Sequence, residues 1–240
     1  MLTIALPTGR VFPEAAALLA SAGLPASCLA SPGRRLVFEE GNFRYILAKP
    51  SDVPLYVGYG TADLAFAGGD VLQESALPLV ELLDTGKGKC RVVVAGPPLL
   101  ADRFRGHASE QMWLKVATKY PRITDDHFSS KGVQVDIIHL HGSIELAPKL
   151  GLSDCILDIV QTGSTLKANN LEVLEHVSDV SLRLVASKKS VALRWSEIRS
   201  VSNALKPLCP VEAEEAGGRR KYFFRRSGRS APRPAGTTEL

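Results

Sequence analysis

A carboxylate, a glycine and three hydroxyls fall within eight residues at Asp158-Ile-Val-Gln-Thr-Gly-Ser-Thr165. The apolar run Cys155–Val160, broken only by Asp158, reads as a buried strand. Gln161, Thr162, Gly163, Ser164 and Thr165 then turn the chain, and residues 166–174 restart at helical spacing. The first amides of a helix lack internal partners and carry partial positive charge. A strand, a hydroxyl-rich turn and a helix start therefore make an anion site. Asp158, near the strand's exit, is placed to meet a sugar diol or a metal ion. An N-capped helix after an ordinary strand fits the same residues equally well. Asp154, at the strand's start, reads as structural.

Ligands of open α/β sheets bind at the carboxyl ends of strands. Three more features fall at such ends. Arg10 follows the apolar strand 2–6. Gly68-Gly-Asp70 follows the strand 62–67, with Asp70 as N-cap of a helix over 71–75. Lys119-Tyr120 follows the strand 114–118. Their convergence points to an anion-binding cleft between two lobes, one starting with Arg10 and the other carrying the Thr162 loop.

Other elements must position these residues. Strands are expected at 34–38, 43–48, 79–83, 90–95, 133–140 and 180–186, and helices at 12–22, 123–130, 143–150 and 191–205. Residues 102–110 are polar and loop-like. Strand–helix alternation implies parallel sheets with covering helices. The expected class is α/β, with lobe I over 1–92 completed by 180–211, and lobe II over 93–179.

The 240 residues, 45% of them hydrophobic and 22% charged, suit a globular α/β chain with a real core. No apolar run approaches the roughly 20 residues of a membrane span. The first residues lack the basic start of a signal peptide, so the expected location is cytoplasmic. Cys28, Cys90, Cys155 and Cys209 are widely spaced, as reduced core thiols would be. The net charge of +4 is concentrated in the tail. Residues 217–240 hold seven basic side chains and one acid, leaving 22 basic against 24 acidic elsewhere. The segment 212–240 reads as a basic, disordered tail. Tyr222-Phe-Phe224 within its arginines could meet RNA, but a solvated tail fits better, and neither nucleic acid nor membrane is expected as a partner.

His139 and His141 share a strand face, yet no third ligand stands nearby, so no protein metal site is expected. Glu145 reads first as a helix-start acid, then as a cleft residue. Trp113 and Trp195 read as core. The motifs of nucleophilic hydrolases and P-loop nucleotidases are absent.

In sum these segments resemble the short form of the ATP phosphoribosyltransferase family. The matching segments are Leu6-Pro-Thr-Gly-Arg10, Arg34-Arg-Leu-Val-Phe38, Ser51-Asp-Val-Pro-Leu-Tyr-Val57 and Ala62-Asp-Leu-Ala-Phe-Ala-Gly-Gly-Asp-Val-Leu72. Val116-Ala-Thr-Lys-Tyr-Pro121, Gly142-Ser-Ile-Glu-Leu-Ala-Pro148 and Asp158-Ile-Val-Gln-Thr-Gly-Ser-Thr-Leu166 complete the set. The resemblance implies a two-lobe fold like that of periplasmic binding proteins, with a ligand cleft between the lobes. It also implies displacement of pyrophosphate from phosphoribosyl pyrophosphate (PRPP) by N1 of ATP, with Mg²⁺ present. By motif, Thr162, Gly163, Ser164 and Thr165 hold the PRPP 5′-phosphate, with Gln161, Asp158 and Glu145 nearby. Arg10 and Arg34 meet the leaving pyrophosphate, and Asp70, Lys119 and Tyr120 are candidates for the nucleotide. A regulatory subunit resembling histidyl-tRNA synthetase, in a hetero-octamer, is implied as partner.

Four positions depart from the family's pattern: Thr8 for a lysine, Lys49 for an arginine, Gly69 for a lysine and Gln161 for an acid. A binding protein on the same fold without chemistry, or transfer to another base, are the competing readings.

Overall fold

The computed structural model describes residues 1–105 and 113–210. The basic tail therefore lies outside the described residues. Six strands form one sheet: β1 (Leu2–Pro7), β2 (Val37–Glu40), β3 (Phe43–Ala48), β4 (Leu64–Gly68), β5 (Leu79–Asp84) and β11 (Leu182–Ser187), in the order β2-β3-β1-β4-β11-β5. The second sheet holds β6 (Cys90–Gly96), β7 (Leu114–Thr118), β8 (Val135–His139), β9 (Cys155–Val160) and β10 (Glu172–Val180), in the order β10-β6-β9-β7-β8.

Alternation along the strands builds three apolar layers. Ile4 and Leu6 face one way, into a core with Leu19, Phe66, Leu184 and Ile198. Ala5 between them faces the other way, into a core shared by both sheets with Val71, Val92, Val116 and Leu157. Val93, Ala117 and Ile156 point into a third layer with Leu166. Strands buried on both faces read as continuous apolar runs, which is why β1, β4, β6 and β9 were legible.

The sheets are mixed, not parallel throughout. β1 pairs in parallel with β3 and β4, and β7 with β8 and β9. β11 runs antiparallel to β4 and β5, and β6 antiparallel to β9 and β10. Of the reversed strands, β2 lies antiparallel to β3 at one sheet edge, and β6 and β11 follow the two passages between sheets, residues 85–89 and Ser181. There Thr85 and Lys87 bond with Leu182, and the Gly69 amide donates to the Ser181 carbonyl at 2.9 Å.

Several local expectations need correction. The helix expected over 166–174 is one turn, α7 (Ser164–Ala168), followed by β10. Asn169 and Asn170 end it, Asn170 at φ 56°, a conformation asparagine tolerates. The helix expected over 191–205 is two, α8 (Lys188–Leu193) and α9 (Trp195–Leu205). At the break, Arg194 donates to Asp63 at 2.7 Å and to the Met1 carbonyl at 2.8 Å. Part of the loop expected at 102–110 is helical, closing α4 (Pro98–Arg105). Trp113 and Trp195 are not core: they are 65% and 42% exposed, and the Trp113 indole donates to Asp136.

Candidate functional site

The parallel strands of both sheets end on the same side, facing one cleft. After β1, Thr8-Gly-Arg10 leads into α1 (Phe12–Ser21); after β4, Gly68 opens α3 (Gly69–Ser75). In the second sheet, Lys119-Tyr120 follows β7 and opens α5 (Pro121–Ser129), while Gln161–Thr165 follows β9. The cavity between them is lined by Thr8, Arg10, Asp70, Cys90, Lys119 and Tyr120, among others.

The floor of this cavity is firmly bonded. Tyr120 is 3% exposed, and its hydroxyl donates to Asp70 Oδ2 at 2.8 Å. Burial drives the phenol's pKa far up, and the Asp70 charge adds to it, so the donor keeps its proton. Asp70 was expected to cap its own helix. The N-cap is instead Gly68, without a side-chain cap, and the Asp70 carboxylate turns to the opposite sheet. It also folds over Gly68, where a Cβ would lie 2.2 Å from Asp70 Oδ1 and would push the carboxylate aside. Thr118 fixes the β7 exit: its hydroxyl donates to the Leu157 carbonyl and accepts from the Tyr120 amide.

Asp158 is half-buried beside this floor. Burial pushes its carboxyl up to about 6; nearby Glu145 and Asp70 add to the rise, while the Ile159 amide and Lys119 oppose it. The amide–carboxylate bond measures 2.8 Å. Glu145 is the N-cap of the short helix α6 (Leu146–Lys149), with no side-chain cap bond. Asp154 is structural, exchanging bonds with the Lys115 backbone at 2.8 Å.

The rim is open and polar. Gly163 lies at φ 79°, the left-handed region that a side chain resists, and so turns the chain from β9 into α7. Thr162, Ser164 and Thr165 are exposed, with Thr162 Oγ1 and Ser164 Oγ 3.1 Å apart. Because α7 is a single turn, what it offers an anion is backbone amides and hydroxyls, not a long dipole. Arg10 reaches across from the first sheet and donates to Gln161 Oε1. Arg34 stands apart, exposed in the turn before β2; Asp158, Glu145 and residues 161–165, like Arg34, are not among the cavity's lining residues. The Leu36–Leu47 backbone bond and the β1–β3 register put that turn on the same sheet edge as Thr8. His139 and His141 have ring centroids 4.8 Å apart, and no cluster of three or more metal-ligating side chains occurs among the described residues.

A family profile described as HisG, ATP phosphoribosyltransferase, matches residues 49–207. The ATP phosphoribosyltransferase of Sorangium cellulosum is 50% identical over 208 residues, covering 85% of this chain and 94% of that one. The Geobacillus protein of the same name is 45% identical over 212 residues, 88% of this chain and all of that one. The chain belongs to the ATP phosphoribosyltransferase family. Among solved structures it resembles the ATP phosphoribosyl transferase (HisG:HisZ) complex from Thermotoga maritima, at 32% identity and TM-score 0.74, over 87% of this chain and 98% of that one. The periplasmic aliphatic sulphonate binding protein SsuA from Escherichia coli, 12% identical, matches with TM-score 0.52 over 86% of this chain and 72% of that one. That second likeness concerns the fold alone, a two-lobe fold of the periplasmic-binding-protein kind.

For an ATP phosphoribosyltransferase cleft, two residues went unread in the sequence. Cys90, taken as a core thiol, lines the cavity, its pKa raised by burial and by Asp70 and held back by Arg10. The glycine-rich passage just before it was the available signal. Glu74 follows Asp70 at helical spacing, and its role appears only with α5 in place.

Proposed function

We propose that this cleft transfers the phosphoribosyl group of PRPP to N1 of ATP, releasing pyrophosphate, in the first step of histidine biosynthesis. The bond from C1 of the ribose to adenine N1 forms with the nitrogen's electron pair. The C1–oxygen bond breaks, and its pair leaves on the diphosphate. Positive charge builds on the ribose ring and negative charge on the leaving group, so the protein's work is alignment and neutralisation.

In this reading Thr162, Gly163, Ser164 and Thr165 bind the 5′-phosphate. Asp158 and Glu145 lie by the ribose hydroxyls, and Arg10 and Arg34 draw the pyrophosphate away. Asp70, Lys119 and Tyr120 border the nucleotide. Asp158, ionised at neutral pH, favours the cationic ring electrostatically. The observation that carries the proposal is the contact of Arg10 with Gln161, which joins the strand-exit cation of one sheet to the hydroxyl loop of the other.

A divalent cation accompanies such transfer, and we take it to be Mg²⁺. With no three-ligand cluster among the described residues, the fitting arrangement is one or two carboxylates, Asp158 and Glu145, plus substrate phosphates. When bound there, the ion offsets charge on the diphosphate. The two sheets are taken as the cores of two lobes, joined at residues 85–89 and at Ser181. We further propose a regulatory partner like the HisZ of the Thermotoga complex, assembled as a hetero-octamer, and a cytoplasmic location. Among the described residues no helix is long and apolar enough to cross a membrane. The short-form reading is supported by relatives that this chain covers over 90–100% of their length.

The test is direct. The purified chain is given ATP, PRPP and Mg²⁺, with and without the regulatory subunit, and phosphoribosyl-ATP is followed by absorbance. Product formation in either condition is the expected result; tight binding of PRPP without product in both would make the chain a binding protein.

A further inference from the structure

The N-terminus of α5 breaks a local rule. Helix N-caps favour Ser, Thr, Asp or Asn, whose side chains accept from the first amides. The N-cap of α5 is Tyr120, which offers no side-chain cap bond, and the next residue, Pro121, has no amide hydrogen. The first two free amides are those of Arg122 and Ile123. Both are taken by one distant carboxylate: Arg122 N donates to Glu74 Oε1 and Ile123 N to Glu74 Oε2, each at 3.0 Å. Glu74 belongs to α3 of the other sheet's layer, 48 residues earlier in the chain.

Asp70 and Glu74 lie four residues apart on α3, hence on one face of that helix. Asp70 accepts from the Tyr120 hydroxyl and Glu74 caps the helix that Tyr120 begins. The position that should cap α5 is given up to put a phenol into the cleft, and the missing cap is supplied from across it. Most described helices of this chain lack a side-chain cap of their own; α5 differs in receiving a bidentate one from the other sheet's layer. Lys119, whose charge acts on Asp158, precedes Tyr120 directly and is set by the same anchor.

We propose that Glu74 is a positioning residue for the reaction: by capping α5 across the cleft floor it fixes Tyr120 and Lys119 where the nucleotide binds. The inference rests on the assignment of Lys119 and Tyr120 to the nucleotide. It also requires that this flank of the cleft stays shut through turnover, with any opening confined to the Arg10–Gln161 side.

The full chain, with its regulatory subunit where activity needs one, is compared with Glu74→Ala, Glu74→Gln and Lys119→Ala. Hydrogen exchange at residues 122 and 123 reports the cap, and steady-state kinetics report the site. In Glu74→Ala both amides are expected to exchange faster and KM for ATP to rise about tenfold, with KM for PRPP within twofold. Glu74→Gln, which keeps the side-chain volume and one acceptor, is expected to lie between and covers the case in which alanine unfolds. A lost cap with unchanged KM for ATP, while Lys119→Ala raises it, overturns the positioning role and leaves the nucleotide assignment standing. Unchanged KM in both Glu74→Ala and Lys119→Ala overturns both.

Discussion

The floor and the rim of the cleft are opposites. On the floor, Tyr120, Asp70 and Thr118, all buried, and Glu74, partly buried, spend their hydrogen bonds on one another and on backbone. On the rim, the hydroxyls of Thr162, Ser164 and Thr165 and the Arg10 guanidinium are exposed and held by few bonds. A buried polar group must be satisfied inside the protein, whereas an exposed one can trade water for substrate at small cost. The floor therefore fixes geometry and the rim supplies binding. Substitutions should separate accordingly: rim changes alter kinetics with the fold intact, and floor changes alter stability as well.

The largest rim effect is expected at Arg10. Removing a cation aimed at developing negative charge commonly costs on the order of 100-fold in rate. Arg10→Ala should lower kcat at saturating ATP and PRPP by about that factor while leaving the melting temperature within a degree or so. Turnover unchanged at saturation would remove Arg10 from the leaving-group role and make its bond to Gln161 merely structural.

Asp158 stands where floor meets rim, and both kinds of effect should appear there. Its pKa of about 6, against an ordinary value of 3.8, means that the folded chain keeps a proton the unfolded chain has released. Stability is thus unaffected well below pH 4, falls as pH rises from about 4 to about 6, and stays reduced above that. The cost at neutral pH is at most roughly 3 kcal/mol. Asp158→Asn keeps an acceptor for the Ile159 amide and removes the buried charge. It should raise the melting temperature at pH 7.5 while lowering kcat/KM by about tenfold, the loss of roughly 1.4 kcal/mol of charge stabilisation. In the unaltered chain kcat/KM should fall as pH drops below about 6, and the variant's profile should be flat there. A variant that is less stable at pH 7.5 would show that the carboxylate is compensated in a way its surroundings do not suggest.

This division explains what the sequence disclosed. Rim chemistry is local: an apolar run, a glycine and hydroxyls within eight residues announce a strand and a loop. The floor depends on partners far apart in the chain. Glu74 looks like any helix-surface acid until α5 arrives 48 residues later. Asp70 looks like a cap for its own helix until Tyr120 claims it. The start of β10, residues 172–174, was read as helix, and residues 175–179 were not read as strand, for a different reason. Its pairing with β6 shifts register between Val173 and Glu175 and again between His176 and Ser178, so its burial follows neither a two-residue nor a helical period. Strand direction was equally hidden, because an apolar run buried on both faces reads the same in either sense.

The smallest effect is expected at Gly69, where the family's pattern has a lysine and this chain has no side chain at all. The site could accept one. Gly69 has no left-handed backbone, and a Cβ there would sit 3.5 Å from Val180, an ordinary contact. Its amide already bonds to Ser181, so the backbone would not need to move. Beside it Asp70 faces Tyr120 rather than a cation, and Asp158 nearby has its pKa raised partly by that same Asp70 charge. A lysine at this position would add one positive charge between floor and rim, partly screened by water. Exposed or half-exposed charge pairs contribute only about 0.2–1 kcal/mol. Gly69→Lys should therefore lower KM for PRPP by a few-fold at most, with the gain fading as salt is raised, and should bring the Asp158-dependent fall in kcat/KM to lower pH. A change in KM with no movement of that pH profile would put the new cation on the phosphate side of the cleft, away from Asp158, and so locate the rim's edge.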